Sequence, residues 1–170
     1  SRVVRFAKNG MGITLDGIAK GYIVDKISEL LVKNGVENHL INAGGDIRAN
    51  GLAAKGRKWK IAIQDPNKQG TYPDVISLGS GAIATSGNYE IYYDEEKVFH
   101  HIVNPETGRS PQLSASVSIL APSVTEADAL STAVFVLEPE AGVAFIDNCP
   151  EYECFVIDRN GTTRSSAYWG

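Results

Sequence analysis

Residues 123–136 read S-V-T-E-A-D-A-L-S-T-A-V-F-V. Ser123 followed three residues later by Glu126 is a capping-box pattern, which predicts a helix starting there. The positions that follow are nearly all apolar: Ala127, Ala129, Leu130, Ala133, Val134, Phe135 and Val136. A helix apolar on most sides is a buried one. Asp128 nevertheless sits inside it, with Thr132 one turn later on the same face. A carboxylate in such surroundings calls for a cation, a metal or several donors opposite it. A carboxylate and a hydroxyl at i and i+4 form a hard-oxygen pair suited to Mg²⁺, which keeps room for phosphate. The same residues also read as an ordinary salt bridge to a lysine, with Thr132 bonded back to the preceding turn. Because D-x-x-x-T is a short pattern, spacing alone favours the ordinary reading.

A chain of 170 residues is a single domain, 1–170, with room for a sizeable core. Hydrophobic residues at 43% and charged residues at 21% describe a globular chain and exclude a disordered one. The formal net charge of -4 leaves no basic footprint, so nucleic acid is not an expected partner. No apolar run approaches a membrane span, and the opening S-R-V-V-R-F-A-K is not a signal peptide. Membrane association is expected only through a segment preceding this chain. Cys149 and Cys154 are close enough in sequence for a disulfide to be possible, and neither has the neighbours of a reactive thiol.

Residues 2–7 and 11–15 read as two short strands joined around Asn9-Gly10. Asp16 is placed to cap a helix running to about Asn34, with Ile18, Tyr22, Ile23, Ile27, Leu30 and Leu31 on the helical period and Gly35 as the stop. Lys20 falls in the first turn of that helix, where a cation opposes the macrodipole unless an anion lies near. In H-L-I-N-A-G-G-D-I, residues 39–47, strand-like positions flank Gly44-Gly45-Asp46. The two glycines allow close backbone approach to a phosphate or ring edge, or form a plain turn. Neither G-x-G-x-x-G nor a P-loop occurs. Trp59–Ile63, 75–78 and 82–84 read as strands, the last leading into Thr85-Ser86-Gly87, hydroxyl donors for an oxyanion or an ordinary tight turn.

Residues 97–103, K-V-F-H-H-I-V, alternate as a strand and run into a turn at 104–108. His100 and His101 are adjacent, so on a strand they face opposite ways and only one can enter a given site. Residues 114–120 form another strand, a third helix covers about 139–148, and strands at 155–157 and 162–165 flank Asn160-Gly161. Strands in runs with a few helices between them predict an α+β fold with a largely antiparallel sheet.

Five segments together resemble the FAD:protein FMN transferases, the ApbE-type family. They are D-G-I-A-K-G-Y at 16–22, I-N-A-G-G-D-I at 41–47, A-T-S-G at 84–87, H-I-V-N-P-E-T-G at 101–108 and A-D-A-L-S-T-A at 127–133. With that resemblance, the metal reading of Asp128 displaces the salt-bridge one. It implies a T-fold-like architecture and a site for FAD with a divalent metal, Mg²⁺, at the diphosphate. Ala19 (through its main-chain carbonyl), Asp128 and Thr132 match the family's metal ligands. Asp16, Lys20, Gly44, Gly45, Asp46, Thr85, Ser86 and Gly87 fall in the matching flavin and diphosphate segments. The implied reaction moves FMN from FAD onto a Thr or Ser hydroxyl of an acceptor protein and releases AMP. His101 matches the residue expected near the hydroxyl proton, and imidazole titrates in the useful range. Water in place of the acceptor would give FMN and AMP.

Position 104 is Asn where the family usually has Asp, and position 100 is His where a small residue is common. The resemblance covers only the C-terminal part of the family pattern, so the chain is expected to be a fragment or a shortened relative. A relative lacking the N-terminal portion could bind a flavin nucleotide without turnover. The family also suggests a location outside the cytoplasmic membrane, in a bacterial periplasm or on a membrane anchor.

Overall fold

The computed structural model describes residues 3–67, 70–89, 91–96 and 98–170. Its centre is a strand of eight consecutive buried residues, β6 (Ser114–Ala121). A strand buried on both faces belongs in the middle of a sheet with material above and below. β6 pairs on one side with β5 (Gly81–Gly87) and on the other with β7 (Glu153–Asp158). β1 (His39–Ala43), β2 (Asp46–Asn50) and β8 (Thr163–Ser165) complete six strands in the order β1-β2-β5-β6-β7-β8, every neighbouring pair antiparallel. A separate ribbon pairs β3 (Trp59–Ala62) with β4 (Val75–Leu78).

Alternation along the strands divides the core in two. On one face Ala84, Val117, Ile119, Cys154 and Val156 meet Ala127, Val134 and Phe135 of α2 (Val124–Leu137) and Ile146 of α3 (Pro139–Asp147). On the other, Ile47, Ile83, Leu120, Phe155 and Ile157 meet Ile61, Ile63 and Ile76 of the ribbon. The helices α1 (Ala19–Lys33) and α2 pack against each other, and both reach the sheet. The expected antiparallel α+β architecture is the observed one. No helix among the described residues is long and apolar enough to cross a membrane.

Local signals hold where the partner is local. Ser123 caps α2 by accepting from the Glu126 N–H at 3.2 Å, and its hydroxyl donates to the Glu126 carboxylate at 2.6 Å, so Glu126 meets the cap through its side chain. Gly35, at φ 81°, ends α1 with Gly35 N–H bonded to Val32 O and Val36 N–H to Leu31 O, a Schellman closure. Gly44 and Gly45, at φ 63° and 98°, are the two loop residues of the β1–β2 hairpin, the geometry that needs positive φ twice.

Three expectations are corrected, and the cysteine pairing that the sequence leaves open is answered. Residues 3–15 form no strand: Val3, Val4, Ile13 and Leu15 are exposed, and no neighbouring strand offers a ladder. Arg2 lies outside the described residues. Asp16 does not cap α1, whose N-cap is Ile18 with no side-chain bond; the Asp16 carboxylate instead accepts from the Thr14 hydroxyl at 2.5 Å. Residues 98–103 make only an isolated bridge, Tyr92 to His100, and Lys97 lies outside the described residues. Cys149 and Cys154 are both free thiols.

The apolar period of α1 also points differently from expectation. Its inward face is Gly21, Val24 and Ser28, while Ile18, Tyr22, Ile23, Ile27 and Leu30 are exposed. Small residues on the inward face let two helix backbones approach closely. A Cβ on Gly21 would sit 2.4 Å from the Val124 carbonyl oxygen and 2.8 Å from Asp128 Cβ. Gly21→Ala is therefore expected to lower stability by roughly 1–3 kcal/mol through overpacking, despite the better helix propensity of alanine. Urea unfolding tests this, and a variant as stable as the parent or more so contradicts the close α1–α2 approach.

Candidate functional site

The close α1–α2 crossing builds the site. Asp128, 6% exposed, accepts one hydrogen bond, from Gly21 N–H at 2.9 Å, and among the described residues it forms no ion pair. The orientation of α2 that makes this possible is held from α1 by Asp25. Its carboxylate accepts from Val124 N–H at 3.0 Å, from Thr125 N–H at 2.8 Å and from the Thr125 hydroxyl at 2.5 Å. Asp25 thus acts as a second cap on α2, supplied by another helix.

Lys20 finds the anion that its helix position called for. Its ammonium lies 3.2 Å from Asp46 Oδ1 and donates to Gly44 O at 3.4 Å, tying the first turn of α1 to the β1–β2 hairpin. Asp46 is 1% exposed, and its second oxygen, Oδ2, is buried without a hydrogen-bond partner. Burial and the neighbouring Asp128 carboxylate push the Asp46 pKa up to about 7, against a smaller opposing pull from Lys20. Two acidic groups therefore share a mostly buried space with one ammonium.

Hydroxyls line the third side. Ser86, on the helix-facing side of β5, pairs with Ser131 at 2.7 Å and with Thr132 at 3.2 Å. Gly17, just before α1, approaches the Thr132 side chain, since a Cβ there would stand 3.4 Å from Thr132 Oγ1.

Thr85, Ser86 and Gly87 are the last three residues of β5, not a turn after it, so they divide between the sheet faces. Thr85 bonds Ser118 at 2.7 Å and, with Gly44, Gly45 and Gly87, borders a cavity of about 180 Å³ beneath the β3–β4 ribbon. The expected site residues thus form two groups. Ala19, Lys20, Asp46, Ser86, Asp128 and Thr132 surround the α1–α2 crossing, while Gly44, Gly45, Thr85 and Gly87 border the cavity. The β1–β2 hairpin, with Gly44, Gly45 and Asp46, joins the two.

Asp16 is exposed, and among the described residues its side chain bonds Thr14 alone. His101 is exposed and, among the described residues, makes no hydrogen bond or ion pair with the acidic pair. His100 is its opposite: 1% exposed, edge-on to Phe135 at 5.6 Å, with Nε2 2.9 Å from Pro111 O and Nδ1 unpartnered. Asp25 and Ser131 were not legible as site-building residues. The one available signal for Asp25 is its position one turn after Gly21, on the same side of α1.

The residues fit a divalent cation. Asp128 and Thr132 offer hard oxygens one helical turn apart on α2, and Asp46, beside Asp128, has a buried carboxylate oxygen without a partner.

The family follows from comparison. A model of the ApbE family matches residues 1–156, and the chain belongs to that family. It is 38% identical over 175 residues to the FAD:protein FMN transferase of Treponema pallidum, covering 96% of this chain and 48% of that protein. It is also 38% identical over 161 residues to that of Haemophilus influenzae, covering 91% and 46%. Among solved structures it superposes on the ApbE protein of Thermotoga maritima with a TM-score of 0.86 at 36% identity, covering 94% of this chain and 52% of that one. The flavin transferase ApbE of Vibrio cholerae gives a TM-score of 0.78 at 33% identity, covering 91% and 50%. The chain spans about half the length of the curated relatives it matches.

Burial holds the His100 pKa below its ordinary value. The folded state then binds fewer protons than the unfolded state as pH falls below about 6.5. The contribution of neutral His100 is expected to be complete above that pH and lost on acidification. Unfolding titrations at pH 7 and pH 5 should show a smaller loss of stability in His100→Gln than in the parent. An equal loss in both proteins assigns the acid sensitivity elsewhere.

Proposed function

We propose that this chain holds Mg²⁺ against the diphosphate of FAD and serves transfer of FMN from FAD to a Thr or Ser hydroxyl of an acceptor protein. The observation that carries the proposal is Asp128, buried yet partnered among the described residues by a single backbone N–H. Removing a carboxylate from water without a charged partner is costly, and a fold retains such a group when a ligand completes it. Membership of the ApbE family and the names of its relatives support the same reading.

Ala19 through its carbonyl, Asp128 and Thr132 would hold the cation, which when bound neutralises charge developing on the phosphate oxygens. Lys20 stands beside Asp46 and Gly44, positioned to meet a second phosphate oxygen. Gly44 and Gly45 leave room beside the diphosphate and flavin without side-chain obstruction, whereas the Tyr89 ring occupies the space a side chain at Gly87 would take. In the step itself the acceptor oxygen bonds to the FMN phosphorus, the bond from that phosphorus to the bridging oxygen breaks, and AMP leaves. His101 takes the hydroxyl proton. With water as nucleophile the same geometry releases FMN and AMP.

A second reading is flavin-nucleotide binding without turnover, which needs only the hairpin glycines and the cavity bordered by Thr85 and Gly87. Incubation with FAD, Mg²⁺ and a Thr/Ser-containing acceptor protein separates the two. Transfer adds the mass of an FMN phosphoester to the acceptor and leaves AMP. FMN and AMP with an unmodified acceptor indicate hydrolysis, and intact bound FAD indicates binding alone.

Asp128→Ala is expected to abolish metal-dependent turnover, because a carbonyl and a hydroxyl carry no formal charge to hold a dication. Full activity at millimolar Mg²⁺ would falsify the ligand set. His101→Ala is expected to slow turnover by roughly 10²–10⁴-fold with FAD binding kept. If His100→Ala has that effect without unfolding and His101→Ala does not, the base is misassigned.

A further inference from the structure

The ligand set just proposed leaves Asp46 outside it. Lys20 engages only Oδ1, while Oδ2 is buried and unpartnered. A carboxylate whose sole task were to pair with a half-exposed lysine could sit at the surface and keep its second oxygen in water. Asp46 is instead 1% exposed and lies beside the buried Asp128 carboxylate. Within this space the only ammonium among the described residues is Lys20, so two full carboxylate charges are not neutralised. The Gly21 N–H that meets Asp128 is a neutral donor. Two neighbouring buried carboxylates, one with a free oxygen, are what a small dication with oxygen ligands resolves, and Mg²⁺ accepts one or two carboxylates while keeping waters or phosphate oxygens.

We infer that Asp46 Oδ2 is a further protein ligand of the divalent cation, beside Asp128, with Lys20 engaging only Oδ1. This rests on the reading of Asp128 and Thr132 as metal ligands. It gives the hairpin a second task beyond leaving space for the nucleotide. The turn of Gly44 and Gly45 delivers a carboxylate from β2 to the cation, so that α1, α2 and the sheet all contribute an oxygen.

The test uses Mn²⁺ alone, without flavin, titrated into the chain while the free-ion electron paramagnetic resonance signal is followed. The parent is expected to bind one ion, Asp128→Asn to lose it, and Asp46→Asn, of the same shape, to weaken it at least tenfold. Lys20→Met keeps both carboxylates and removes a competing cation, so its affinity should match or exceed the parent's. If Asp46→Asn binds within threefold of the parent while Asp128→Asn does not bind, Asp46 is not a ligand and the proposed ligand set survives. If the parent binds no Mn²⁺, or Asp128→Asn binds as the parent does, the proposed ligand set fails and the Asp46 assignment with it. Circular dichroism checks that each variant is folded. Should Asp46→Asn not fold, anomalous diffraction from the parent crystallised with Mn²⁺ decides. A peak at roughly 2.0–2.5 Å from Asp46 Oδ2 supports the assignment, and one beyond about 4 Å overturns it.

Discussion

The contact between Gly21 and Asp128 joins residues 107 apart in sequence by one hydrogen bond of 2.9 Å. It exists because two helix backbones come close enough that no side chain fits at position 21. Much of the site's placement depends on that approach. It sets the first turn of α1, with Ala19 and Lys20, over the acidic face of α2. It brings Asp25 onto the N-terminus of α2, where three donors fix the helix. It also leaves Thr132 beside Gly17 and Ser86.

Electrostatically the arrangement makes sense only with something added. A stability-driven core does not place Asp46 and Asp128 together, each below a tenth exposed, with one partly solvated lysine between the hairpin and the helix. Holding a proton on Asp46 is one way the protein relieves the repulsion, and its pKa of about 7 expresses that. The dication proposed above would be a stronger way, engaging the Asp46 oxygen that has no partner. The two expected halves of the site, at the helix crossing and under the β3–β4 ribbon, then meet at one hairpin whose glycines are needed for the turn and whose aspartate is needed for charge.

Much of this was legible because the signals were local. Ser123 and Glu126 found each other three residues apart, Gly35 closed α1, and the alternating positions of the 114–121 strand gave a true strand. Asp128 and Thr132 could be singled out because an acidic group in an apolar helix is anomalous without any fold in view. What failed depended on partners distant in sequence. The apolar residues of α1 follow the helical period, yet the face that packs is Gly21, Val24 and Ser28, which a search for large apolar side chains passes over. Residues 98–103 alternate but have no strand beside them. The pairing of Lys20 with Asp46 spans helix and hairpin, so Lys20 looked misplaced until the chain folded. The capping role of Asp25 was hidden for the same reason.

Asp46 and Asp128 have one ammonium between them, and a bound dication would supply the remaining counter-charge. Thermal unfolding of the flavin-free chain in Mg²⁺, against a chelator at matched ionic strength, tests it most directly. A ligand at a hundred times its dissociation constant stabilises by about 2.7 kcal/mol, which for a domain of this size is a rise of roughly 5–10 °C in Tm. The account predicts such a rise, growing with Mg²⁺ concentration. A Tm that Mg²⁺ leaves unchanged would contradict it.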